Sequence, residues 1–539
     1  MDFTPMSHLP STVLERILEQ ARERPQAIAL RRSDGTSALR YGQLVAQVDR
    51  LAAKLRGESI GQGSRVVVLS DSGPETYPSV LACARLGAIA VLVDSGLPPA
   101  TIARFCQITD PGAMLIAPGG RTGSPPAPEG RHVIPAITVD TAAGESDSAH
   151  RLDAKTDGFA CNPDRGADDP LVMIFTSGTT GQPKAVLLPN RTFFAIPDIL
   201  RKEGVRWIDW VAGETTYSPL PATHIGGLWW TLNGLMHGAL CVTGGKGKSS
   251  LTEILNTNAV ATTLLVPTLL SRLVSELKSA EAAVGSLRLM VYGGSRAIAA
   301  DVRFMEAAGV RTAQIYGLSE TGCTAMCLPT DGDSFSKIEA GAVGRPYPGV
   351  QVHLAYAGAG APRPGGATAG GSVGTLWIKS PANMLGYWNN PERTQEVLVD
   401  GWVNTGDLVQ RHQDGFFYIK GRSSEMIISG GVNIMPEEVD RIAQGVPGVG
   451  EAACYEIPDA EFGALVGLAV VPATDLDESE ARKLKQRIAA SYRREAESIA
   501  RPSTIGIVAE IPRTQSGKVM RSSLAAVMNG KQIGKVAHV

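Results

Sequence analysis

The chain has 539 residues, of which 43% are apolar and 19% charged, with a formal net charge of −2. Single cores stop growing at about 250–300 residues, so at least two domains are expected, and the composition excludes a disordered chain. The near-neutral charge excludes a global basic field for nucleic acid or an acidic membrane, so any anion site must be local. The opening Met1-Asp-Phe-Thr-Pro5 has no basic start and no apolar core, and therefore does not read as a signal peptide. Arg65–Leu69 reads as a buried strand, Glu75–Leu86 as a helix ending near Gly87, and Ala88–Val93 as the next strand. Pro98–Ile108 reads as a second helix and Met114–Ala117 as a third strand. This alternation implies βαβ units and a largely parallel sheet.

Residues 118–130 and 142–169 read as loops, and the low-complexity stretch 355–371 as a mobile one. The apolar run Gly226–Gly245, interrupted by Asn233 and His237, reads as a buried helix rather than a membrane span. Pro436–Ala443 reads as a helix with Pro and acids in its first turn. Ala452–Ile457 and Leu465–Val471 read as strands, Ser479–Glu497 as a helix and Ile505–Val508 as a strand. A compact α+β unit of about 115 residues is therefore expected from near Arg422. Seven cysteines lie between Cys83 and Cys454 with no CxxC pair. An odd, scattered set argues against a disulfide framework and fits a reducing, cytoplasmic setting.

The strongest chemical signal is Val172–Leu188: an apolar strand, the loop Thr176-Ser-Gly-Thr-Thr-Gly-Gln-Pro-Lys184, and a second strand. Backbone N–H groups in such a loop converge on phosphate oxygens, hydroxyls add donors, and Lys184 adds a cation. It is not a Walker A loop, because Pro183 stands five residues after Gly178 where that motif has Gly. A bare Gly-rich turn would be structural, but this order of Thr, Ser, Gly, Pro and Lys points to phosphate binding.

Further motifs follow in order: Pro219–Gly227, Val291-Tyr-Gly-Gly-Ser295, Tyr316-Gly-Leu-Ser-Glu-Thr-Gly322, Trp402-Val-Asn-Thr-Gly-Asp407, Gly421-Arg422 and Pro512-Arg-Thr-Gln-Ser-Gly-Lys518. Together they resemble the adenylate-forming superfamily: acyl-CoA synthetases, peptide-synthetase adenylation domains and luciferase, with acyl- and aryl-CoA ligases nearest. The resemblance runs from about Tyr41 to Lys518. It implies an α/β fold: a large N-terminal domain of α/β layers with a distorted β-barrel, residues 1–420, and a small mobile α+β lid, residues 421–539, with the active site in the cleft between them.

The resemblance also implies roles. Thr176, Ser177, Gly178, Thr179, Thr180 and Lys184 would grip the triphosphate. Gly293, Gly294 and Ser295 would flank adenine, on which Tyr316 stacks beside Gly317. Ser319 would contact the α-phosphate and Glu320 would hold Mg²⁺, since one carboxylate with phosphates and waters suits that ion. Asp407 would accept both ribose hydroxyls, aided by Arg422. Lys518 would offset the repulsion between the attacking carboxylate and the α-phosphate. His224 would gate between ATP and thiol. His224, Trp229, Gly293 and Gly317 would line the acyl pocket, and Ser429, Gly430 and Gly431 would border the CoA tunnel.

Three positions depart from the pattern. Ala185 replaces a common Gly, Thr375 a common Glu, and Ser424 the usual hinge Asp or Lys. The implied reaction is ATP-driven activation of a hydrophobic carboxylic acid to acyl-AMP, followed by lid rotation and transfer to CoA. A carrier-protein acceptor, or an enzyme limited to one half-reaction, stands as the alternative. An amino-acid substrate is disfavoured, because Pro219–Gly227 holds no acid to pair with an amine. A non-catalytic relative is disfavoured by Glu320, Asp407 and Lys518. Expected ligands are ATP, Mg²⁺ and CoA. A monomer or homodimer is expected, and high Ala, Gly and Arg usage points to a GC-rich bacterium.

Overall fold

The computed structural model describes residues 11–117, 135–139, 165–177, 183–244, 249–330, 334–356, 373–422, 425–430, 432–496, 498–513 and 519–528. Most of the expected loops at 118–130, 142–169 and 355–371 lie outside them. The chain forms two compact units, one of residues 1–339, 343–352 and 378–403, the other of residues 340–342, 353–377 and 404–539.

In the first unit the expected βαβ alternation is present: strand Arg65–Ser70, helix Thr76–Leu86, strand Ile89–Asp94, helix Pro99–Thr109 and strand Ala113–Ile116. The helix Thr76–Leu86 stops at Gly87, whose φ of 71° is a left-handed conformation costly to side-chain-bearing residues. The three strands run parallel, with Arg65 opposite Ile89 and Val66 opposite Ala113. Such strands are covered on both faces, which is why their sequences are continuous apolar runs. Strand Pro170–Ser177 joins in parallel beside Ile89–Asp94, and the chain then reverses into Pro183–Pro189. The two-residue strand Gly386–Tyr387 pairs antiparallel with Pro183–Pro189. Val67, Val91, Val93 and Met173 form part of the core on this sheet, with Phe105 stacked on Phe175 at 3.7 Å between ring centroids.

A second set of parallel strands comprises Val260–Leu265, Leu289–Gly293 and Arg311–Tyr316, with Met326–Pro329 antiparallel to the last. The Val291–Ser295 and Tyr316–Gly322 motifs therefore start at neighbouring strand ends, with Gly293 opposite Ile315. The apolar run Gly226–Gly245 is only partly helical. Helix Ile225–Met236, whose side chains are all buried, ends at His237, Gly238 takes φ 74°, and the chain continues as strand Leu240–Thr243. No helix among the described residues is long and apolar enough to cross a membrane.

In the second unit, strand Val449–Asp459 pairs antiparallel with Gly463–Pro472, which pairs in parallel with Thr504–Ile507. Alternation along the first strand feeds two cores. Ala452 and Cys454 join Val439, Ile442, Leu484 and Ile488 of helices Pro436–Gln444 and Glu478–Glu495. Ala453 and Tyr455 join Leu524 of helix Arg521–Met528. Helix Glu478–Glu495 begins in a capping box, Asp477 accepting from the Glu480 N–H at 2.8 Å and Glu480 from the Asp477 N–H at 3.0 Å.

A buried ionic cluster ties this unit together. Arg521 donates to Asp440 at 2.8 Å and to the Cys454 carbonyl at 2.9 Å, and lies 3.4 Å from Glu425. Asp440 also accepts the Cys454 N–H at 2.6 Å. Glu437, beside this cluster, keeps one buried oxygen with no hydrogen-bond partner among the described residues. Burial pushes its carboxyl up from 4.5 to about 7, against the pull of Arg521.

A carboxyl that holds its proton more tightly when folded stabilises the fold below its unfolded value, and loses that contribution as pH rises through its folded value. Stability should therefore fall between about pH 4.5 and pH 7. Glu437→Gln should remove that slope, raising the melting temperature at pH 8 over the parent and not at pH 5. Parallel melting curves at both pH values would disprove the assignment.

Candidate active site

The loop motif is built on an antiparallel strand pair in which Thr176 stands opposite Lys184 and Ser177 opposite Pro183. Gly178, Thr179 and Thr180 lie outside the described residues. Lys184 is half-buried, and its Nζ lies 5.5 Å from the centroid of the Tyr387 ring. Burial and the nearby Arg393 push its ammonium pKa down, while Glu320 and Glu396 partly offset this.

Glu320 sits in the 3₁₀ turn Ser319–Thr321 that follows strand Arg311–Tyr316. Its Oε1 accepts from the Tyr387 hydroxyl at 2.7 Å, and its carbonyl accepts from the Met384 N–H at 2.9 Å. Glu320 and Lys184, 136 positions apart in sequence, are thus brought together around one tyrosine. The turn itself is closed by the Thr321 hydroxyl, which accepts from the Leu318 N–H at 2.8 Å. Among the described residues no group of three or more His, Cys, Asp or Glu could hold a metal ion. A lone carboxylate fits an ion held mainly by nucleotide phosphates and water, which is the habit of Mg²⁺.

Tyr316 and Ser319 are largely buried. Gly317 is required sterically, since a Cβ there would strike the Cys323 carbonyl, and one on Gly293 would strike the Ile315 carbonyl. Both glycines therefore have a packing reason in addition to any role near a ligand. Gly294, at φ 91°, and Ser295 are exposed beyond the strand end.

His224 caps helix Ile225–Met236. Its Nδ1 accepts the Gly226 N–H at 3.2 Å, which places the proton of a neutral ring on Nε2. Burial pushes its pKa down from 6.5 to about 4. Trp229, 1% exposed, packs in an aromatic cluster with Trp210 at 5.4 Å and Trp230 at 6.3 Å between centroids. A cavity of about 150 Å³, lined by residues including Thr12, Arg85, Arg165 and Asn190, contains none of the motif residues.

In the second unit, Asp407 and Arg422 face each other across an antiparallel ladder, and Arg422 Nε lies 2.7 Å from the buried Asp407 Oδ1. The adjacent Thr405 hydroxyl donates to the Leu376 carbonyl and accepts the Asp407 N–H, fixing the strand. A carboxylate so held offers acceptor oxygens suited to a diol. Ser429 is fully buried, with its hydroxyl lacking a partner among the described residues, and Gly430 takes φ 54°. Ile428, Val432 and Phe462 beside them are 53%, 42% and 39% exposed. Gly431, Ser424 and Lys518 lie outside the described residues. Of the described residues that flank Lys518 in sequence, Arg513 pairs with Glu451 and bridges to Val519, and Arg521 joins the buried cluster.

Tyr387 and Arg521 were missed in the motif reading. Arg521 stands three residues after Lys518, a spacing that could have singled it out. Tyr387 carried no local signal, because its partners are remote in sequence.

The AMP-binding enzyme profile matches residues 17–388, and that of the AMP-binding enzyme C-terminal domain matches residues 438–518. The chain is 73% identical over 532 residues to a fatty acid--[acyl-carrier-protein] ligase, MmaC, of Mycobacterium marinum, spanning 98% of this chain and 100% of the relative. It is 72% identical over 524 residues to the medium/long-chain-fatty-acid--[acyl-carrier-protein] ligase FadD10 of Mycobacterium tuberculosis, spanning 97% of each. Its fold is similar to that of ATP-bound MatB from Rhodopseudomonas palustris, with a TM-score of 0.78 at 24% identity, over 97% of this chain and 100% of the other.

His224 is neutral at physiological pH on this geometry. In imidazole NMR, the resonance lost in His224→Gln should titrate near pH 4 rather than near pH 6.5. A midpoint close to 6.5 would show that the ring is not desolvated as described.

Proposed function

This chain belongs to the AMP-binding enzyme family and is an ATP-dependent, AMP-forming ligase, and on that premise we propose that it activates a medium- or long-chain fatty acid and transfers the acyl group to the thiol of an acyl carrier protein. The observation that carries the acceptor is the near full-length identity of 72–73% to ligases named for carrier proteins. CoA, the acceptor expected first from sequence, becomes the second reading. The exposed apolar Ile428, Val432 and Phe462 around Gly430 support a protein acceptor, since apolar side chains grouped at a surface favour macromolecular contact.

The first step makes a bond between a carboxylate oxygen of the acid and the α-phosphorus of ATP and breaks the bond to pyrophosphate. Lys184 and the Thr176–Thr180 loop grip the phosphates. Glu320 would hold the Mg²⁺ that neutralises them, Tyr316, Gly317 and Gly293–Ser295 border the base, and Asp407 with Arg422 holds the ribose. Lys518 places a cation between the two anions, where it lowers their repulsion as they approach. In the second step the thiolate attacks the acyl carbonyl and AMP departs. A neutral His224 leaves the acyl pocket uncharged, which suits an apolar chain beside Trp229, and Ser429–Gly431 border the path of the thiol. The ATP- and acyl-binding domain is assigned to residues 1–420, and the lid that brings Lys518, together with the ribose-contacting Arg422, to residues 421–539. Free cysteines throughout the described residues accord with a cytoplasmic reaction.

With Mg·ATP and medium- and long-chain acids, thioester should form on holo carrier protein at least about tenfold faster than on CoA, a difference of about 1.4 kcal/mol in barrier. Acyl-AMP and thioester are to be measured separately. Efficient CoA thioester with none on carrier protein would overturn the acceptor. Lys518→Ala should abolish acyl-AMP formation and spare transfer from supplied acyl-AMP. Equal loss of both steps would remove Lys518 from its role.

A further inference from the structure

Lys184 and Glu320 present a physical problem. An ammonium and a carboxylate in one neighbourhood tend to pair, and a paired lysine is a weaker phosphate ligand while a paired carboxylate is a weaker cation ligand. Among the described residues no Lys184–Glu320 ion pair is formed. Tyr387 instead meets both groups with different parts of its side chain. Its hydroxyl donates to Glu320 Oε1 at 2.7 Å, and its ring lies 5.5 Å from Lys184 Nζ, within cation–π range.

The backbone around Tyr387 makes this placement rigid. The Leu385 N–H donates to the Leu187 carbonyl at 2.9 Å and the Trp388 N–H to the Ala185 carbonyl at 2.8 Å, so the segment is hydrogen-bonded to the strand that carries Lys184. The Met384 N–H donates to the Glu320 carbonyl at 2.9 Å. The Tyr387 N–H donates to the Thr394 hydroxyl at 2.9 Å, which ties the segment to helix Pro391–Val397. Residues 384–388 therefore fasten the loop motif to the turn that bears Glu320.

We propose that Tyr387 is a positioning residue that keeps the metal-binding carboxylate and the phosphate-binding ammonium adjacent yet unpaired. The hydroxyl holds Glu320 by one oxygen and leaves the other for the cation, while the ring face supports Lys184 without neutralising it. The proposal rests on the reading of Glu320 as the Mg²⁺ ligand and of Lys184 as a triphosphate ligand.

The test is binding rather than turnover. Mn²⁺ is titrated by electron paramagnetic resonance into the full chain with a non-hydrolysable ATP analogue, and the analogue alone is titrated calorimetrically in EDTA. Tyr387→Phe keeps the ring and loses the donor. It should weaken Mn²⁺ binding about tenfold, as expected for losing a hydrogen bond to a charged group, with metal-free nucleotide affinity changed by less than about twofold. Tyr387→Leu loses both contacts and should weaken metal-free nucleotide binding as well. On a Glu320→Gln background, Tyr387→Phe should have no further effect on Mn²⁺. Unchanged Mn²⁺ affinity in Tyr387→Phe, or additive losses with Glu320→Gln, would overturn the proposal while leaving Glu320 as the metal ligand. Unimpaired Mn²⁺ binding in Glu320→Gln alone would overturn the metal reading and this proposal together.

Discussion

In the first unit a cation and an anion, Lys184 and Glu320, stand around one tyrosine without pairing among the described residues. Phosphate chemistry needs both charges available, and a low-dielectric setting strengthens their mutual attraction. Tyr387 meets both groups, donating its hydroxyl to Glu320 at 2.7 Å and presenting its ring to Lys184. That arrangement requires the strand Gly386–Tyr387 to pair with Pro183–Pro189, which in turn requires the edge left open by the reversal at Ser177. The parallel sheet beneath supplies the rigid base. Its continuous apolar strands are packed on both faces, so the edge cannot drift without disturbing a dense core.

The second unit solves a related problem by different means. Here the opposite charges are meant to pair. Arg422 meets Asp407 directly across a ladder, where the register places the two residues opposite each other. Arg521, Asp440 and Glu425 form a largely buried set. Breaking one member of such a set leaves an uncompensated charge, so the cluster serves as a fixed anchor. Glu437 beside it keeps one buried oxygen with no partner among the described residues, and burial raises its carboxyl to about 7.

The glycines divide along similar lines. Gly293 and Gly317 were read as leaving room for a flat ring and an acyl chain. Each also faces a carbonyl of a neighbouring segment that a Cβ would strike. Close strand packing and close ligand approach make the same demand of a residue, so the two leave the same trace in the sequence. His224 shows the converse. The resemblance implies a gate between ATP and thiol there, and in the structure its Nδ1 caps the Gly226 N–H while desolvation pushes its pKa down to about 4.

Motif order in the sequence determined the family and its ATP-dependent ligase chemistry, and it is the basis of the residues proposed for that chemistry, because phosphate grip, metal ligand and ribose ligand each require particular atoms within short segments. Strand and helix periodicity between residues 65 and 117, and again between 436 and 508, determined the local elements, since apolar spacing reports burial directly. The limits of that reading were also local: the run Gly226–Gly245 has one composition throughout, and only its packing at Gly238 splits it into helix and strand. What the tertiary structure alone decided was the pairing of remote groups. Tyr387 with Glu320 and Lys184, and Arg521 with Asp440, are contacts between residues 67 to 203 positions apart. Such contacts arise from sheet register and helix docking, which depend on the whole core and leave no periodic signature in the chain.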